Sequence, residues 1–347
     1  MKKFIFKTTL FLSPFIVLQL VALFLYNTQN GDLVRVGQMF ERFPSYRENL
    51  NNEIANQTHF EVIDDINVKG KTIKYFLVGD SFTNDKNGYK NFLGYLSDGQ
   101  VSSLNINLLI NDNPFQTLYS LTQTDFFKNN KIEFVIVESV ERYLAYRGNN
   151  VDKNLEFTKT KIELPISESR TDYHFQLTDK EFPNKSIFTL PYNTFRYFNG
   201  AEDFGQVYRF DSSEKIFSVD KNEVFCYFED VDLIPDLNWP NNIQNLKNAL
   251  NELQIELEKQ NVKLVFLPAP NKFTAYYDYL NIKNKIPKSI ILEEIEKAPK
   301  KYIYVNPIKS INEFIKNGKK DFYFYDDTHW GYSGSKAVAE QIILETK

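Results

Sequence analysis

Short, almost wholly apolar runs set between helix-periodic stretches constrain this chain more than any other feature of its sequence. Ile73-Lys74-Tyr75-Phe76-Leu77-Val78 closes at Gly79, Phe134-Val135-Ile136-Val137 has no polar residue, and Lys263-Leu264-Val265-Phe266-Leu267 stops at Pro268. Strands that are apolar on both faces must be covered on both, which is the situation of a parallel sheet between two layers of helices. The intervening stretches supply the covers. Residues 88–96 carry Tyr89, Phe92, Leu93 and Leu96, and residues 115–128 carry Leu118, Leu121 and Phe126 at helical spacing. Residues 242–260 repeat Ile243, Leu246, Leu250, Leu253 and Leu257 in the same way. A second strand is expected within 101–110 and another at Tyr302-Ile303-Tyr304-Val305, with helices at 290–297 and 308–316. Residues 321–325 read as an edge strand or an extended approach, after which Ser333 caps a last helix facing Ala337, Val338, Ile342 and Ile343 inward.

The expectation is a three-layer α/β/α domain at 71–347 with about five parallel strands. The rhythm lapses from about 146 to 238, a stretch of Asn, Thr and Asp clusters with scattered aromatics, read as one large insertion. In such sheets ligands bind beyond the carboxyl ends of the strands. Ser81, Glu138 and Pro268 all follow strands and would gather on that edge.

Ahead of this domain, residues 8–26 contain no charge, and about 20 apolar residues span a bilayer as a helix. Lys2, Lys3 and Lys7 precede the run, so residues 1–7 are read as a cytoplasmic tail and 8–26 as a transmembrane anchor. A cleaved signal peptide is the competing reading, but it favours a shorter apolar region and an Ala-x-Ala cut, and this run ends Leu23-Phe24-Leu25-Tyr26-Asn27. Residues 27–70 are read as a polar stalk touching the body through Phe40, Phe43 and Tyr46, and everything beyond residue 30 as extracytoplasmic. Residues 1–30 hold three lysines and no acid, which leaves the remainder more acidic than the net −4 of the whole chain. No basic stripe marks a nucleic-acid partner. Cys226 is the sole cysteine, which removes internal disulfides and cysteine metal sites, and no His-x-x-x-His or Glu-x-x-His stands on a helix, so no metal and no cofactor is expected.

Two motifs carry chemistry. Gly79-Asp80-Ser81-Phe82 puts a serine on the turn after a buried strand, and Asp326-Asp327-Thr328-His329-Trp330 puts a histidine behind two acids. A serine becomes nucleophilic only when a base takes its proton, and that base needs an acid to fix its tautomer. His59 and His174, the other two histidines, stand in no such motif and are read as structural or surface residues.

With these residues in view, the chain resembles the SGNH hydrolase superfamily, of flavodoxin-like architecture. Within it the likeness is to the alginate O-acetylation proteins and related polysaccharide O-acetyltransferases. Residues 79–82 are similar to the block holding the nucleophile, and residues 327–330 to that branch's aspartate–histidine signature. Glu138-Ser139-Val140-Glu141-Arg142-Tyr143 is similar to its Glu-x-x-Glu-Arg-Tyr stretch, and Pro268-Ala269-Pro270-Asn271-Lys272 to its Pro-x-x-x-Lys stretch. The motif order departs from the alginate proteins: Ser81 comes first and His329 last, the ordinary SGNH order. The usual oxyanion donors, a glycine after the second strand and a Gly-x-Asn-Asp motif after the third, are missing.

The resemblance implies Ser81 as nucleophile and His329 as base, oriented by Asp327 on the branch's Asp-x-His spacing or by Asp326 on the general Asp-x-x-His spacing, with Asp327 preferred. The Ser81 amide, with Asn111 or Asn113, would serve as oxyanion donors. Glu138, Arg142, Lys272 and Trp330 are candidates for substrate contact. Their bland readings are a Glu138–Arg142 ion pair and a solvated or locally bonded Lys272. The implied activity is O-acyl transfer, acetyl for preference, to a cell-surface polysaccharide, with a polytopic membrane-bound O-acyltransferase as the partner that passes acyl groups across the membrane. The alternatives are a carbohydrate esterase and a non-catalytic glycan-binding or assembly component.

Overall fold

The computed structural model describes residues 1–25, 31–38, 50, 73–85, 88–98, 100–104, 106–155, 186–282 and 286–347. His59, His174, Phe40, Phe43 and Tyr46 lie outside them. Five parallel strands form the central sheet: β1 (Tyr75–Val78), β2 (Val101–Ser103), β3 (Phe134–Val140), β6 (Lys263–Ala269) and β7 (Ile303–Tyr304), in the order β2-β1-β3-β6-β7. The chain runs outward from β1 to β2, crosses back to β3, and continues to the far edge, so the order reverses between β1 and β3. That reversal opens a crevice at the carboxyl ends of the two strands, where such folds place their sites.

Both faces of the sheet are covered, as the unbroken apolar strands require. Phe76, Val78, Val135, Val137, Leu264 and Phe266 face one cluster, with Leu246, Leu250, Leu253 and Leu257 of the helix Pro240–Glu258. Tyr75, Leu77, Phe134, Ile136, Val265 and Leu267 face the other, which includes Val338 and Ile342 of the last helix, Tyr332–Glu345. That helix returns to the first strand, where the Tyr75 and Thr346 hydroxyls are 2.8 Å apart. It starts from Gly331 with no side-chain cap, so Ser333 lies inside its first turn instead of capping it. The single helix expected at 115–128 is two, Pro114–Thr122 and Phe126–Asn130. Residues 321–325 join the sheet nowhere; they form a loop with one antiparallel bridge between Tyr323 and Trp330. Between β3 and β6 the described part of the interruption holds an antiparallel hairpin of β4 (Val207–Asp211) and β5 (Glu223–Tyr227).

At the N-terminus, Lys2–Leu25 is helical, and Phe4, Phe6, Phe11 and Phe15 are exposed along it. Among the described residues, however, no helix is long and apolar enough to cross a membrane, and the side chains at 19 and 21–25 lie outside that set. The stalk expectation fails at its near end. Residues 31–37 are packed into the domain, with Leu33 and Val34 buried in the same core cluster as Trp330 and Phe82.

Candidate active site

Val78 pairs with Val137, so the turn after β1 falls beside Glu138, the next residue of β3. The fully buried Glu138 Oε2 accepts the Asp80 N–H at 2.9 Å, the Thr83 N–H at 3.3 Å and the Thr83 hydroxyl at 2.9 Å. A side chain at Gly79 would stand 2.1 Å from Thr83 Oγ1 and 2.6 Å from Glu138 Oε2, so the close approach of the two strand ends demands glycine. Asp80 Oδ2 in turn accepts from Arg147 Nη1 at 2.8 Å and from the Val140 N–H at 3.0 Å. Burial works against an ionised Asp80, but Arg147, Glu138 and Val140 together hold it below the usual carboxylate range. Burial and the Asp80 charge push Glu138 well above its own range. One carboxyl is therefore kept neutral and its neighbour charged, and the pair fixes the turn that presents an exposed Ser81.

The histidine arrives from the other side of the crevice. Lys272, the first residue of the helix Lys272–Tyr276 after β6, is buried and donates from Nζ to the carbonyls of Phe324 and Tyr325, each at 3.0 Å. Tyr323 donates its hydroxyl to the Pro270 carbonyl at 2.6 Å and its N–H to the Tyr276 hydroxyl at 3.2 Å. The loop 321–331 is thus stapled to the end of β6. It closes on itself through Phe324 N–H to the His329 carbonyl at 3.0 Å.

There His329 Nε2 lies 2.8 Å from Ser81 Oγ, and Nδ1 lies 2.6 Å from Asp327 Oδ1. Asp327 Oδ1 also accepts the His329 N–H at 3.0 Å. The Phe82 ring backs the imidazole, with centroids 4.8 Å apart, and Trp330 packs behind Phe82 at 4.8 Å. Burial lowers the imidazole pKa, but the Asp327 charge and hydrogen bond, then Asp32 and Asp85, outweigh it and raise His329 to about 9. Asp326 is buried and does not reach the ring; its Oδ2 accepts the Gly31 N–H at 2.8 Å. Of the two spacings open in the sequence, the geometry has the Asp-x-His one.

The other sequence candidates stand elsewhere. Asn113 caps the helix Pro114–Thr122, accepting from the N–H groups of Phe115 and Gln116 and donating to the carbonyls of Arg147 and Asn150. All its capacity is spent, which leaves nothing for an oxyanion. Asn111 is exposed beside Tyr146, Asn150 and Asp152, and no hydrogen bond among the described residues links it to the Ser81 turn. Arg142 pairs with Asp230 at 2.7 Å, not with Glu138. Lys272 holds backbone carbonyls, and Trp330 is 2% exposed, so neither offers a surface to a substrate. The Ser81 N–H has no hydrogen-bond partner among the described residues, and Ser81 opens the short helix Ser81–Asn84.

Two contributors escaped the sequence reading. Arg147 looks like any surface arginine in sequence, yet it is 5% exposed under Asp80. Asp32 lies in the segment read as stalk, yet it accepts from Thr328 and stands 3.8 Å from His329 Nδ1. Ligating atoms of Asp32, Asp327 and His329 lie within 4.8 Å of one another. All three side chains are also hydrogen-bonded, to Thr328, to Ser81 or within the group.

Residues 228–347 match the family model described as SGNH hydrolase-like domain, acetyltransferase AlgX. The chain resembles the alginate O-acetylation branch of the SGNH hydrolases. The matched third contains Lys272, Asp326, Asp327, His329 and Trp330, whereas Ser81 lies before it. In general terms the AlgX-like match supports a polysaccharide acetyltransferase-like role and an esterase or acyltransferase class of activity. No curated protein matches, and no solved structure does.

Proposed function

We propose that this protein is an extracytoplasmic serine O-acyltransferase that places an acyl group, acetyl for preference, on hydroxyls of a cell-surface polysaccharide. One observation carries the reading: Ser81 Oγ, the His329 ring and Asp327 form a continuous hydrogen-bonded line of 2.8 and 2.6 Å on an exposed edge of the sheet. His329 Nε2 takes the Ser81 proton as Oγ attacks the acyl carbonyl. Collapse of the tetrahedral intermediate expels the donor's leaving group, which takes that proton and leaves an acyl-serine. A sugar hydroxyl then gives its proton to Nε2 as it attacks the ester, and Nε2 passes that proton to Ser81 Oγ as the serine–acyl bond breaks and the acylated sugar leaves. The Ser81 N–H, without a partner among the described residues, would meet the developing oxyanion.

The uncharged run of residues 8–26, with Lys2, Lys3 and Lys7 ahead of it on the cytoplasmic side, would anchor the domain to the membrane. Acetyl-coenzyme A is cytoplasmic, so a polytopic membrane-bound O-acyltransferase would deliver the group. Ser81 is exposed, which favours the esterase as the second reading because water also reaches the acyl-serine. The test is an activated acetyl ester given to the purified chain. A burst with an acetyl adduct on Ser81, abolished by Ser81→Ala and by His329→Ala, supports the mechanism. Turnover unchanged in Ser81→Ala would sink it. Acetylated oligosaccharide formed at the expense of acetate separates transfer from hydrolysis. Glycan binding without turnover would leave an assembly component.

A further inference from the structure

A second carboxylate reaches the histidine from the far end of the chain. Asp32 opens the helix Asp32–Val36, and its Oδ1 accepts the Thr328 N–H at 2.8 Å while its Oδ2 accepts the Thr328 hydroxyl. The same Oδ2 is 3.8 Å from His329 Nδ1, and the Asp32 N–H donates to Asp327 Oδ2 at 3.2 Å. The placement is enforced on both sides. Gly31 donates to Asp326 Oδ2, and the Leu33 and Val34 N–H groups point at the Asp326 carbonyl, at 3.1 and 3.4 Å. A Cβ on Gly31 would stand 2.2 Å from that carbonyl oxygen, so nothing larger than glycine lets the segment approach.

Two carboxylates beside one imidazole repel each other, which is unfavourable unless the ring carries charge for part of its cycle. We propose that Asp32 is a positioning residue of this site: it fixes Thr328 and adds a second negative charge on the Nδ1 side of His329, so that the imidazolium formed when Ser81 loses its proton faces two carboxylates. The inference rests on the acyl-transfer reading for its function, although its electrostatic content is independent of turnover. Burial and the Asp327 charge raise Asp32 itself to about 6, so it is ionised where His329 titrates. The other charges acting on the ring are Asp327 from its own loop and Asp85 from beyond the nucleophile's helix. The buried Lys272 acts on Asp32, Asp326 and Asp327.

The experiment is a histidine NMR titration of the full chain, His329 being assigned by the signal lost in His329→Gln. Asp32→Asn removes the charge and keeps one acceptor for the Thr328 N–H, its amide NH2 facing the Thr328 hydroxyl as a donor in place of the second oxygen. The expected result is a fall of about one unit in the His329 midpoint. The low-pH limb of Ser81-dependent ester hydrolysis should move down with it, and plateau kcat/KM should fall about tenfold. Asp32→Ala, which also releases Thr328, should lose more rate than Asp32→Asn. A midpoint that stays put in both variants, whatever their melting temperatures, overturns the proposal and leaves Asp32 a structural peg. A midpoint that moves in a chain without Ser81-dependent turnover instead removes the acyl-transfer reading and keeps the electrostatic role, so the two failures are distinguishable.

Discussion

His329 must be neutral to accept a proton from Ser81, yet its carboxylate neighbours raise it to about 9. Ester turnover should therefore climb with pH through about 9. In Asp327→Asn the limb should shift to lower pH while the rate falls by roughly 10²–10⁴, since the ring loses its orienting partner. A pH–rate profile of the two proteins checks both. Stability runs the other way. A histidine whose folded pKa lies above its ordinary 6.5 stabilises the fold fully below that value and loses the contribution as pH rises through about 9. Melting temperatures across that window should decline less in His329→Gln. At this scale the sequence was legible where chemistry is local. Ser81 follows an apolar run, and His329 follows its acid at a fixed spacing. Asp32 and Arg147 were not, because an acid or an arginine gains meaning here only from neighbours 296 and 67 positions away. The lysine of Pro268-Ala269-Pro270-Asn271-Lys272 was seen, but not that it is buried, since residue type alone argues for exposure.

Among the elements, the turn after β1 depends on one carboxyl at the end of β3. Glu138 is held neutral beside a charged Asp80, so Glu138→Gln should preserve acceptor and volume and leave the melt nearly unchanged. Glu138→Ala strands the Asp80 N–H, while Thr83 keeps the Asp80 carbonyl at 3.1 Å and the Tyr89 hydroxyl at 2.9 Å, so the loss should be about 1–3 kcal/mol. Gly79→Ala drives a methyl into Thr83 and Glu138 and should cost about 3 kcal/mol. Denaturant unfolding of the three variants tests the ranking, and Glu138→Ala no less stable than Glu138→Gln would refute the account. Strands and helices were visible because each is a local apolar pattern with its own period. The break near residue 123 was missed because Phe126 keeps the helical spacing across it.

Over the whole molecule, the site is a joint between the two ends of the chain. A chain starting at residue 27 keeps Gly31 and Asp32 and should hydrolyse a soluble ester as the full chain does. One starting at residue 38 loses the donors to Asp326 and Asp327 and two core side chains, so its activity should collapse; ester assays on both purified forms decide it. The joint also sets a timetable. If the domain is exported N-terminus first, as the proposed extracytoplasmic site requires, Asp32 emerges first, Ser81 next, and the loop carrying His329 well after both. Until the helix Tyr332–Glu345 docks on the first strand at Tyr75 and the loop before it closes, Ser81 has no base and stays inert. Contacts spanning nearly 300 positions are costly to close, so the joint should form late in folding, and reactivity waits on it.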